Sequence, residues 1–292
     1  MRGTPCKITR RAFLMSAAAL AQTSQPTNFQ IACMTLPYAQ FPMWRALEGI
    51  ARAGYQFVAW GTTHMEAPGD RRPALAVDAP PVEARRLAAR CRDLGLQPVM
   101  MFSTVQLEEP TAADAHLRRI EQAAAAGIPY LLTFGRTKPG EYDTFLDNLK
   151  KMAPAARRQG VTVVIKQHGG NTATGRNCAR IVDEVGDEGL RICYDAGNVM
   201  DYEHQDPIPD IQQCWQKVRA FCIKDHRTRR ATRTAGQGWA RSIITSCSRP
   251  WRAPDGICRS PAKMSLNPSF RVRRSLKPSM RWRGGRVSFS RL

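Results

Sequence analysis

Val161-Thr162-Val163-Val164-Ile165-Lys166-Gln167-His168, Leu190-Arg191-Ile192-Cys193-Tyr194-Asp195 and Val218-Arg219-Ala220-Phe221-Cys222-Ile223-Lys224-Asp225 decide how this chain folds. Each is an apolar run that stops at polar residues capable of chemistry. They recur roughly every 25 to 30 residues with a helix-like stretch between, which is the rhythm of a parallel βα barrel, whose strand ends converge on one mouth. The chain therefore reads as an enzyme.

Working outward, the same rhythm continues. Strands are predicted at Phe29 to Leu36, Tyr55 to Trp60, Leu96 to Ser103 and Ile128 to Gly135. Helices are predicted over Phe41 to Gly54, Pro80 to Gly95, Thr111 to Gly127 with Thr111 as N-cap, Glu141 to Gly160, Arg176 to Gly186, and near Ile208 to Lys217. Residues 61 to 79 read as a long rim loop. Seven βα repeats thus span residues 29 to 226, the proportions of one α/β domain, a (βα)8 TIM barrel incomplete at its eighth unit. A doubly wound open sheet is the runner-up. It lacks support after the first strand, where Pro37-Tyr38 stands in place of a Gly-rich phosphate loop.

The net charge of +20 suggests a nucleic-acid binder until it is divided along the chain. Residues 227 to 292 carry 17 Lys/Arg against the single acid Asp255, whereas residues 1 to 226 hold 27 against 23. The basicity belongs to a tail without helical or alternating period that begins mid-repeat. One reading is a basic arm that grips polyanions. The other is a tail translated out of frame. Codons exist for Ala240 to Ser248 whose displaced frame gives Glu-Ile-Asp-His-Tyr-Lys-Leu-Leu, and the displacement continues into a strand ending in a carboxylate and then an amphipathic helix. Together these pieces make the missing final βα unit, and the frameshift is the preferred reading.

At the start, Thr9-Arg10-Arg11-Ala12-Phe13-Leu14-Met15 precedes a short apolar stretch and Ala19-Leu20-Ala21. Residues 1–21 resemble a twin-arginine export signal, followed by a linker over 22–28, which implies a bacterial periplasmic location. An amphipathic N-terminal helix is the alternative. The apolar stretch is too short to span a bilayer, so no membrane span is expected. The nine cysteines lack CxxC spacing and lie mostly in apolar runs, as buried thiols do.

Lys166-Gln167-His168-Gly169-Gly170-Asn171-Thr172, Cys193-Tyr194-Asp195-Ala196-Gly197-Asn198 and Ile223-Lys224-Asp225 resemble the xylose isomerase-like barrels described as sugar phosphate isomerases/epimerases. The resemblance implies a divalent metal (Mn, Mg, Co or Zn) held by a Glu, an Asp, a His and a second Glu at the ends of the last four strands. Asp195 matches the Asp and is the candidate metal ligand. Lys166 stands where the first Glu is usual, Cys222 where the His is usual, and the last Glu exists only in the displaced frame. The implied partner is a small sugar or sugar phosphate. No nucleic-acid partner is expected, and the oligomeric state is left open.

The candidate catalytic residues are Lys166, His168 and Asp195. A buried lysine needs an anionic partner, and Asp195 is the nearest by topology. His168, two residues on from Lys166, shares its face of the strand, where the lysine charge favours a neutral imidazole. Lys224, Asn171, Asn198 and His64 are candidate substrate contacts. Each has a plainer counterpart: a structural ion pair for Lys166 and Asp195, a turn partner for His168, turn or cap roles for Asn171 and Asn198, and a solvated loop position for His64. The expected reaction is proton transfer beside a sugar carbonyl through an enediolate. The alternatives are a lyase or hydrolase on the same barrel, a non-catalytic carbohydrate-binding barrel that has lost its metal, and a nucleic-acid binder dependent on the tail.

Overall fold

The computed structural model describes residues 30–223 and two short strands, Arg281–Arg283 and Arg286–Ser288. The export signal at 1–21, the linker at 22–28, Lys224 and the frame of the 227–292 tail lie outside the described residues, apart from those two strands. The strands pair antiparallel with each other, a local order that the tail's composition did not announce.

In chain order the elements are β1 Ala32–Met34, α1 Met43–Arg52, β2 Phe57–Trp60, β3 Thr63–Ala67, β4 Asp70–Pro73, α2 Pro81–Asp93, β5 Gln97–Phe102, α3 Ala112–Ala126, β6 Tyr130–Thr133, α4 Tyr142–Arg158, β7 Thr162–Ile165, α5 Gly175–Val185, β8 Leu190–Asp195, α6 Ala196–Glu203, α7 Pro207–Ile211 and β9 Val218–Cys222. One sheet contains β1-β2-β5-β6-β7-β8-β9 in that order, with every neighbour parallel. Unbroken sequential order among parallel strands is how a βα barrel is wound.

Two cores follow from the period-two alternation of the strands. Val58, Trp60, Met101, Leu131, Val163, Ile165, Ile192 and Tyr194 face outward and pack against helix residues such as Leu47, Ala88, Ile120, Phe145, Leu149 and Ile181. Phe102, Leu132, Phe134, Val164 and Cys193 face inward and form a second cluster. Met34 of β1 and Cys222 of β9 both pack on that inner cluster although they come from opposite edges of the sheet. A flat sheet of seven strands would hold those edges about 29 Å apart, so the sheet is curled around its inner face as a barrel wall.

The sequence expectation fails in three places. Residues 61 to 79 are not one rim loop: β3 and β4 form an antiparallel hairpin turning at Pro68-Gly69, where Gly69 has φ +79°. His64 on β3 is buried rather than solvated. Its Nδ1 lies 3.0 Å from the Phe41 carbonyl and its Nε2 3.0 Å from Thr35 Oγ1, which ties the hairpin to the end of β1. Thr111 makes no side-chain cap, and the helix expected near Ile208 to Lys217 is the short α7 followed by a 3-10 turn at Trp215–Lys217.

Candidate active site

The rim is assembled from the residues that follow β5, β6, β7 and β8. Gln167 is buried, and its Oε1 accepts from the Asp195 amide at 2.7 Å while its carbonyl accepts from Asn198 Nδ2 at 2.6 Å. Asp195 Oδ1 in turn accepts from the Asn198 amide at 3.0 Å and so caps α6. These three bonds lock the β7 loop to the start of α6. Asn198 is therefore a fastening between the β7 loop and α6, the cap role that the sequence also allowed.

Gly169 and Gly170 have φ of +72° and +54°. A Cβ on Gly169 would stand 2.7 Å from the Thr137 carbonyl oxygen, and one on Gly170 2.6 Å from that of Lys138. Only glycine permits both the left-handed backbone and this approach of the β7 loop to the β6 loop. Asn171 Nδ2 then donates to Glu108 Oε1 at 3.1 Å, the oxygen that also accepts from the Arg136 amide at 2.9 Å. Thr172 Oγ1 accepts from the Gly135 amide at 3.1 Å. Asn171 thus joins the β5, β6 and β7 loops.

With those residues assigned to architecture, the side chains that line the mouth stand apart. Lys166, one residue past β7, donates from Nζ to Asp195 Oδ2 at 3.1 Å, with 14% of its side chain exposed and 1% of that of Asp195. Burial alone would lower the Lys166 pKa, but the nearby Cys222 thiol and the Asp195 carboxylate outweigh it and raise it above the ordinary lysine value, so the ammonium stays charged. Lys166 Nζ also lies 5.9 Å from the Phe102 ring centroid. Phe102 stacks on Phe134 at 5.6 Å, Phe134 on His168 at 4.1 Å, and His168 meets Tyr202 at 5.0 Å. His168 Nδ1 is 3.3 Å from Thr137 Oγ1 and Nε2 is 3.4 Å from Tyr202 Oη. The wall is a continuous aromatic band with the Lys166 ammonium at one end, the Tyr202 ring at the other and the His168 imidazole between Phe134 and Tyr202.

Three members of that band escaped sequence reading. Phe134 carries a signal, since the register places it level with Lys166, and Phe102 carries a weaker one as the last residue of β5, level with Val164. Tyr202 carries none, because α6 opens inside the Asp195-Ala196-Gly197-Asn198 turn and its Gly and Asn read as loop.

The donor set does not fit the divalent metal that the sequence resemblance implies. Among the described residues no group of three or more His, Cys, Asp or Glu side chains is placed to hold an ion. Asp195 Oδ2 already faces an ammonium, and a hard dication there would stand beside a like charge.

This sequence matches the model of the xylose isomerase-like TIM barrel family over residues 47–250. The chain belongs to that family. No curated protein matches it by sequence. Among solved structures, 3-keto-D-glucoside 4-epimerase from E. coli superposes with a TM-score of 0.57 at 14% identity, covering 76% of this chain and 89% of that one. D-allulose 3-epimerase from Methylomonas sp., in complex with D-allulose, gives 0.56 at 13% identity, covering 76% and 82%. A xylose isomerase-like TIM barrel protein from Mycobacterium smegmatis in complex with magnesium gives 0.53 at 13% identity, covering 68% and 75%. At these identities the likeness is one of fold. No helix among the described residues is long and apolar enough to cross a membrane.

Proposed function

We propose that this chain is an isomerase or epimerase of small sugars or sugar phosphates, acting by proton transfer beside a carbonyl through an enediolate. The observation that carries the reading is the Lys166 ammonium, held by Asp195 on the inner face of the barrel beside an aromatic wall that includes His168. An ammonium has three N–H donors. Asp195 accepts one and sets the direction of the others. In the proposed step, His168 removes the proton from the carbon next to the substrate carbonyl. The C–H electron pair becomes the enediolate C=C bond, and the carbonyl π pair moves onto oxygen. Lys166 donates a hydrogen bond to that oxyanion. Return of the proton from His168 to the former carbonyl carbon, with the hydroxyl proton of the first carbon passing to the oxyanion, gives the isomer; protonation of the first carbon from the opposite face by solvent water, with His168 giving its proton to the hydroxide left behind, gives the epimer. Thr137 and Tyr202 hydroxyls fix the imidazole ring against Phe134. The test is incubation of the full chain with a panel of aldoses and ketoses, free and phosphorylated, in deuterated water. Deuterium at the carbon beside the carbonyl is expected in at least one sugar, and its absence from all of them overturns the reading.

A second reading, a carbohydrate-binding barrel without catalysis, is favoured by the ion pair itself, since the positions of two metal-ligating carboxylates hold a neutralised couple. Sugar-induced thermal stabilisation without any exchange would select it. The same proposal takes the N-terminal segment as an export signal to the bacterial periplasm and the tail as out of frame.

A further inference from the structure

Two supports of His168 converge on one buried oxygen, Glu108 Oε1. Beside the imidazole stands Thr137, whose Oγ1 lies 3.3 Å from His168 Nδ1; the preceding residue, Arg136, donates its amide to Glu108 Oε1 at 2.9 Å. Behind the imidazole runs the Gly169-Gly170 turn, closed by Asn171, whose Nδ2 donates to the same oxygen at 3.1 Å. One acceptor thus ties down the chain on both sides of the ring. Glu108 is itself pinned from below. Asn148, buried on α4, donates from Nδ2 to the Leu107 carbonyl and to the Glu109 carbonyl, 2.9 Å each, so the backbone is gripped on either side of the glutamate. The β6 loop leaves room for the carboxylate: a Cβ on Gly140 would stand 2.6 Å from Glu108 Cγ, and one on Gly135 3.3 Å from Oε1.

Burial makes this a costly way to join two loops. Glu108 is 3% exposed, and its Oε2 has no hydrogen-bond partner among the described residues, with Arg136 Nε standing 3.7 Å away and equally unbonded. A charged oxygen left so is unfavourable, whereas a bond to an ionised acceptor is about twice as strong as one to a neutral acceptor. What the carboxylate adds is therefore stiffness at Oε1. We propose, on the reading that His168 moves the proton, that Glu108 is its positioning residue, holding the imidazole over Phe134 through Thr137 on one side and the Gly169-Gly170-Asn171 turn on the other. Asn148 acts one step further out, through the backbone of Glu108.

The test uses the full chain with ring-labelled histidine, the His168 signal being assigned with His168→Gln. Wild type should show one sharp His168 ring signal. Glu108→Ala should broaden or split it, and should lower kcat for a competent sugar by about 10²-fold with KM changed by less than about threefold, as misplacement of a catalytic group by about 1 Å does. Glu108→Gln, which keeps an acceptor for both donors, should recover most of the signal and of kcat. Glu109→Gln removes an exposed partner of the Arg136 side chain and should change neither. If Glu108→Ala fails to fold, Asn171→Ala, which removes only one of the two donors, should disturb the His168 signal in the same sense and to a smaller degree. A His168 signal and kcat left intact while the melting temperature falls, or Glu108→Gln as damaging as Glu108→Ala, would overturn the assignment. Should wild type place deuterium in no sugar, the sugar chemistry falls, and the ring signal alone still decides whether Glu108 positions His168.

Discussion

Lys166 is the residue on which the candidate site turns, because removing it leaves Asp195 buried without its cation. Breaking a buried pair costs about 3–5 kcal/mol, and losing a donor aimed at a developing oxyanion costs roughly 10²–10³ in rate. Lys166→Met should therefore lower the melting temperature and cut turnover of a competent sugar by at least the smaller factor, while Lys166→Arg, which keeps the charge, should recover most of the stability; equal stability of Lys166→Met and wild type would show that the pair is not holding the strands. Since folding raises the Lys166 pKa, its contribution is fully present below the ordinary lysine value and fades as pH climbs through the raised one. His116 has the opposite sign. It is fully buried on α3, with Nδ1 2.9 Å from the Ala112 carbonyl and Nε2 3.4 Å from Thr133 Oγ1, and burial pushes its pKa down to about 4. The unfolded chain takes up that proton near pH 6.5 and the folded chain does not, so stability should fall by about 3 kcal/mol as pH drops from 6.5 to 4. Denaturant titrations of wild type and His116→Gln across that range measure it; an acid limb of the same slope in both would exclude His116. Barrel topology placed Asp195 beside Lys166, and the two are paired at 3.1 Å, while period-two alternation put His168 on the strand face of Lys166. Neither could show Asn171, Asn198 and Gln167 as fastenings, since their partners lie on loops 28 to 63 residues away.

At the scale of elements, strands announced by long apolar runs were readable and polar ones were not. β7, β8 and β9 stand within a residue or so of their expected bounds; β7 and β8 are apolar runs buried on both faces, while β9, Val-Arg-Ala-Phe-Cys, is an edge strand with only Val218 buried. β3 and β4, Thr-His-Met-Glu-Ala and Asp-Arg-Arg-Pro, lack that signal, and the hairpin is held instead by the buried contacts of His64 and by the Met65 amide bonding the Ala39 carbonyl at 2.9 Å. The glycine pair after β7 is the element-level hinge of the site. Gly170→Ala forces a Cβ into the Arg136 and Lys138 carbonyls at a backbone angle disfavoured for alanine. The substitution should cost upwards of about 2 kcal/mol and shift His168 relative to Phe134, read as a lowered melting temperature together with a changed His168 imidazole resonance. Gly160→Ala is the control for the backbone angle alone, because its added Cβ meets nothing within 4 Å; if the two variants lose the same stability, the loop-to-loop approach contributes nothing.

At the scale of the whole molecule, a wall of seven parallel strands has two free edges among the described residues, β1 and β9, and the charge of the chain is segregated beyond β9. Parallel edges expose unpaired amides and carbonyls, and a barrel removes them by closure. The proposed frameshift supplies the strand and helix for that closure, so a gene restored to the displaced frame should encode a protein that differs from the chain as written in size of transition as well as in stability. The surface exposed on unfolding sets the denaturant slope. Restoring a βα unit should therefore raise both the slope and the midpoint in guanidinium, and should suppress the concentration-dependent aggregation that open edges invite. Sequencing across the codons for His226 to Arg230 decides whether the restored frame has a counterpart in the gene, and an uninterrupted frame there, or an unchanged slope in the restored protein, would leave the basic tail as a feature of the native chain.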